Sequence, residues 1–130
     1  KKKVLPFIIP LPLFIHNCIF WNTDIANLLL PQKGFDIFIK GYDNQSLLHY
    51  SCVTGNLELS KLLISKYNLD VESADNNYIT ILHSACFSSN LELVKYLISL
   101  NRIDIISKDH ENNTILDYAL NSNNINYNLI

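Results

Sequence analysis

Apolar residues in this chain arrive as pairs of short clusters, each pair followed by a longer polar stretch. After Thr80, residues Ile81, Leu82, Ala85 and Cys86 fall at helical spacing on one face, which predicts a short helix capped by the Thr80 hydroxyl. Ser88-Ser89-Asn90 breaks that pattern and offers a fresh cap. A second helix follows, with Leu91, Val94, Tyr96, Leu97 and Ile98 expected to face inward and Glu92 and Lys95 to face water. A polar return from Asn101 to Asn113 then holds Ile103 and Ile105 around Asp104. The preceding stretch does the same: Ser46 caps, Gly55-Asn56 breaks, Leu57 to Ile64 forms the second helix, and the chain returns from Asn68.

The likeness between these stretches has a fixed interval. Cys18, Cys52 and Cys86 stand 34 residues apart. At the same interval Phe35-Asp36-Ile37 recurs as Leu69-Asp70-Val71 and Ile103-Asp104-Ile105, and Ser46-Leu47-Leu48 as Thr80-Ile81-Leu82 and Thr114-Ile115-Leu116. Disulfides and metal clusters have no reason to keep one long constant interval. Stacked structural units do, so the period predicts a solenoid.

The repeated stretches resemble the ankyrin repeat family, whose signature is a turn, the run T-P-L-H-x-A and two antiparallel helices. Here the run reads Ser46-Leu47-Leu48-His49-Tyr50-Ser51, Thr80-Ile81-Leu82-His83-Ser84-Ala85 and Thr114-Ile115-Leu116-Asp117-Tyr118-Ala119. The resemblance implies an all-α, ankyrin-type solenoid of helix-turn-helix units joined by β-turn or hairpin loops. It divides the chain into an extension at 1–11, a degenerate first repeat at 12–40, full repeats at 41–74 and 75–108, and a partial repeat at 109–130. In the degenerate unit Ile15 stands where the histidine is expected, with His16 one place out of register. Three departures carry structural expectations. The period exceeds the family's usual 33 by one, consistent with an extra loop residue near Asn68 and Arg102. Leu47, Ile81 and Ile115 replace the proline at the helix start. Asn44, Tyr78 and Asn112 replace the turn glycine, and the turn at Tyr78 is expected to differ because tyrosine tolerates a left-handed backbone poorly. A tetratricopeptide array shares the period but lacks its Trp, Gly, Tyr and Pro landmarks here.

Composition narrows the function classes. A formal net charge of −2 argues against a dedicated nucleic-acid binder. The run from Val4 to Trp21 is apolar, but Pro6, Pro10 and Pro12 interrupt it and no cleavage site of small residues follows, so neither a signal peptide nor a membrane span is expected. Asn and Ile occur 17 times each, a bias that suggests AT-rich coding. The chain has no methionine, and Ile130 stands where Tyr96 stands one unit earlier, so a piece of a longer array is expected.

Reactive chemistry finds little footing. His49 with Cys52, and His83 with Cys86, have i, i+3 spacing that could grip a metal, but units stacked along an axis spread such pairs apart. Neither a cofactor nor a metal is expected. No phosphate-binding loop forms among three glycines, and no nucleophile stands beside a base in a recognisable motif, so no enzyme is expected. The resemblance implies instead that the histidine ties neighbouring units through the capping hydroxyl and the turn backbone, and that the cysteine fills a small buried site. It implies binding of a protein partner through the loop tips and the ends of the first helices. These are Tyr42, Asp43, Gln45, Val53 and Thr54; then Asn76, Asn77, Ile79, Phe87 and Ser88; then His110, Glu111, Asn113, Asn121 and Ser122. The expectation is a cytoplasmic, monomeric interaction module; the alternative is a regulatory or docking arm of a larger enzyme or channel.

Overall fold

A computed structural model describes residues 23–121. The extension at 1–11, His16, Cys18 and Ser122 lie outside the described residues. Among the described residues six α-helices follow one another: α1 (Thr23–Leu29), α2 (Leu47–Val53), α3 (Leu57–Ser65), α4 (Ile81–Ser88), α5 (Leu91–Ser99) and α6 (Ile115–Leu120). Among the described residues no strand forms, only two antiparallel bridges, Lys40 with Ser46 and Ala74 with Thr80, which close the hairpins that lead into α2 and α4.

Capping fixes where each helix starts. Ser46, Thr80 and Thr114 hold extended backbone, and each hydroxyl accepts the N–H three residues on. At that third position a side chain reaches back to the cap's own N–H, a capping box with His49, His83 and Asp117 in the place usually held by Glu or Gln. Asn56 and Asn90 cap the second helices, their side-chain oxygens accepting the Leu59 and Leu93 N–H groups. Between α2 and α3 the chain reverses at Gly55 (φ +73°), and between α4 and α5 at Ser89 (φ +62°). A Cβ on Gly55 would lie 3.3 Å from the Ser88 Cβ, so the smallest residue lets the neighbouring unit close in.

The core runs along the stack. The first helices α2, α4 and α6 pack side by side, and α2 pairs with α3 and α4 with α5. Leu48, Cys52, Ile81, Leu82 and Ala85 from the first helices and Leu59, Leu63, Leu93 and Leu97 from the second are all but fully buried. Leu59/Leu63 and Leu93/Leu97 are i, i+4 pairs, one turn apart on a single face.

This corrects the inward face expected for α5. Leu91 and Ile98 are exposed, at 62% and 47%. Seven residues apart, they share one stripe of the helix. Packing against α4 and α3 covers Leu93 with Leu97 and leaves this stripe facing out. The turn at Tyr78 is also corrected. Its φ of +61° matches Asn44 at +65° and Asn112 at +66°, because the hairpin bonds on either side leave the residue one conformation. The long-period returns turn left-handed at Asn68 and at Asn101, the second one residue before Arg102.

Candidate functional site

Three hairpins stand at the starts of α2, α4 and α6, and one backbone hydrogen bond across the loop is common to them. The Gly41, Asp75 and Asp109 N–H groups donate to the carbonyls of Gln45, Ile79 and Asn113 at 2.8, 3.0 and 3.0 Å. In the second and third hairpins a carboxylate organises the loop from within. Asp75 Oδ1 accepts the Asn77 and Ile79 N–H groups, each at 2.8 Å. Asp109 Oδ1 accepts those of Glu111 and Asn113 at 2.9 and 2.8 Å. Burial works against the Asp109 charge, but the Tyr118 hydroxyl at 2.5 Å, the Asn113 amide and these backbone donors outweigh it and hold its pKa down to about 2. Burial and the facing carboxylate raise the Tyr118 phenol in turn. The first hairpin has glycine in that place because Tyr50 fills the space; a Cβ on Gly41 would lie 2.2 Å from the Tyr50 hydroxyl, which accepts the Tyr42 N–H at 3.1 Å.

Adjacent hairpins are joined into a row. The Asn76 N–H donates to the Asp43 carbonyl at 2.8 Å, and the His110 N–H to the Asn77 carbonyl at 2.7 Å. Beneath the row, histidines bridge the units. His49 Nδ1 accepts the Ser46 N–H at 3.2 Å, and its Nε2–H donates to the Ile79 carbonyl at 2.9 Å in the next hairpin. His83 repeats this with Thr80 (3.2 Å) and Asn113 (3.1 Å). Both rings thus spend both nitrogens on structure. Burial holds the His49 pKa below its ordinary value; the Ile79 carbonyl and Asp75 oppose this, and Lys40 adds to it. Burial also pushes the Cys52 thiol up to about 12, so it stays protonated and a poor nucleophile or ligand.

The expected contact residues separate into three groups. Tyr42, Asp43, Asn76, His110, Glu111 and Asn121 are exposed. Asn77, Ile79, Val53, Thr54, Phe87 and Ser88 are half-buried. The last four sit at the far ends of α2 and α4, about 10 Å from the hairpins by the rise of a seven-residue helix. There the Thr54 and Ser88 hydroxyls donate back to the carbonyls of Ser51 and Ala85. Gln45 and Asn113 are half-buried and bonded inward: Gln45 Nε2 donates to Asp75 Oδ2 at 2.9 Å, and Asn113 Nδ2 to Asp109 Oδ2 at 3.2 Å. Tyr78 belongs in the first group although its spacing did not bring it forward. It is 62% exposed at the tip of the second hairpin, as Tyr42 is at 61% on the first. The signal was an aromatic residue standing where a left-handed backbone favours glycine or asparagine.

No helix among the described residues is long and apolar enough to cross a membrane. The chain finds no match among curated proteins. A family model described as ankyrin repeats in three copies matches residues 14–109, and again residues 66–128. Together with the hairpin row, the paired helices and the histidine bridges, that match over most of the chain establishes that it belongs to the ankyrin repeat family.

Proposed function

We propose that this chain is a non-catalytic docking module that binds a protein partner along its hairpin tips and the adjoining surface of the first helices. Ankyrin repeats are generally protein–protein interaction modules. The observation that carries the proposal is the continuous row in which Asn76 is bonded to Asp43 and His110 to Asn77, with Tyr42 and Tyr78 turned out to solvent. Backbone bonds and internal carboxylates satisfy the row from within, so its outward side chains can meet a partner without loss of internal structure. Tyr42, Tyr78, Asp43, Asn76, His110 and Glu111 make the contacts; Gln45 and Asn113 shape the loops. Aromatic anchors dominate such interfaces when desolvated.

The test compares three tagged forms of the chain expressed in source cells: unaltered, Tyr42→Ala/Tyr78→Ala, and Leu91→Ser on the outer stripe of α5. Quantitative mass spectrometry should identify a protein retained by the first and third and lost from the second. Equal retention by all three would sink the reading.

A further inference from the structure

We propose that the cleft between the second and third hairpins, with the exposed tyrosines of the row, receives an extended peptide segment of a partner that carries arginine or lysine side chains. The proposal rests on the hairpin row being the docking face and adds the chemistry of what docks there. The cleft measures about 250 Å³ and is walled by Asn77, Ile79, Asp109, His110, Glu111 and Tyr118. That is room for one long side chain, not for a folded element. Its walls are part apolar and part acidic, which suits a side chain with a hydrocarbon stem and a charged head. Tyr78 stands in sequence between two of the wall residues, and Tyr42 lies one hairpin along the row; both rings are mostly exposed, at 62% and 61%. The faces of such rings attract cations.

Charge decides the sign of the partner. The hairpins carry Asp43, Asp75, Asp109 and Glu111, none of which has an ion-pair partner among the described residues. The fixed cations beside them are Lys40 and Lys108, which enter the first and third hairpins, while α2, α4 and α6 contribute neither lysine nor arginine. Lys61 and Lys95 stand on the second helices, Lys61 over the Tyr96 ring and Lys95 paired with Glu92. A basic segment approaching the row meets net negative charge in a partly enclosed cleft, where the field is focused; an acidic segment is repelled.

The test titrates the full chain with two fluorescein-labelled nonapeptides, one alternating arginine with glycine and the other glutamate with glycine, followed by anisotropy at low and near-physiological salt. The arginine probe should bind saturably and more weakly as salt rises. Tyr78→Asn should weaken it about two- to fivefold, and Glu111→Gln should weaken it as well, with melting temperatures held or raised. Glu92→Gln on α5 should leave it unchanged. No saturable binding of the arginine probe, or equal weakening by Glu92→Gln, overturns the proposal. Preference for the glutamate probe that is lost with Tyr78→Asn overturns the basic partner while keeping the row as the docking face. Binding of either probe that no hairpin substitution alters overturns both.

Discussion

The α2/α3 unit and the α4/α5 unit share one geometry built on different interiors. In the first, the Ser51 and Ser60 hydroxyls meet at 2.7 Å in the buried space between the helices, with the Cys52 sulfur 3.5 Å from Ser60. One period on, those places hold Ala85, Val94 and Cys86. Entry to the units differs too: Gly41 yields to the Tyr50 hydroxyl, whereas Asp75 wraps its own loop and accepts Gln45 from the unit before. What the units have in common is the capping boxes, the histidine bridges and the leucine pairs on the second helices. Backbone satisfaction therefore fixes the unit's shape, and the interior accepts either a closed polar pair or an apolar one.

The largest effect expected is from Leu82→Ala. Leu82 is fully buried where α4 meets its neighbours on both sides. The cavity should cost about 2–5 kcal/mol, read as loss of the cooperative melt. The described stack holds two helix pairs, α2/α3 and α4/α5, so a small margin is expected, and a melt well above about 65 °C would contradict that view. Leu116, in the equivalent place on α6, is 64% exposed, so Leu116→Ala should shift the melt little.

Next comes the polar pair. Ser51→Ala strands the Ser60 hydroxyl beside sulfur alone, and should cost about 1–3 kcal/mol. Ser60→Ala should cost less, because Ser51 still donates to the Leu48 carbonyl at 3.1 Å. Ser51→Ala/Ser60→Val copies the neighbouring unit and should recover much of the loss. Chemical denaturation of the four forms checks this; a double variant worse than Ser51→Ala would show the interiors are not interchangeable.

Acid should act on the histidine bridge. The folded His49 resists a proton that the unfolded chain accepts, so its contribution is complete above about 6.5 and is lost as pH falls from there toward the depressed folded value. Asp109, with a folded pKa of about 2 against an ordinary 3.8, contributes stability that is lost only below that ordinary value. Denaturation between pH 7.5 and 5 therefore isolates the imidazole, and His49→Gln should flatten the slope.

The smallest effect is a gain. Tyr78→Asn relieves a bulky left-handed residue and should stabilise by up to about 1 kcal/mol, while weakening any partner that uses the ring.

Much of this frame was legible in the residues. The period and the Ser46 and Thr80 caps could be read because each rests on local chemistry repeated at one spacing, whereas the His49 and His83 bridges, which span 30 residues, were implied only by the family resemblance. The outward stripe of Leu91 and Ile98 could not be read, because apolar residues cover more of the circumference of α5 than its neighbours bury, and only the packing decides which of them are covered. Tyr78 shows the opposite case: its side chain argued for a different turn, and the hairpin bonds overruled it. The inward bonding of Gln45 and Asn113 was hidden because an amide at a loop tip looks the same whether it meets a partner or its own carboxylate.

The most direct test of the docking face places a photocrosslinking residue in the chain in source cells, at Asn76 in the hairpin row or at Leu91 on the outer stripe of α5. A discrete crosslinked protein from position 76 and none from position 91 is the predicted result. Crosslinking from 91 alone, or the same product from both, would contradict it.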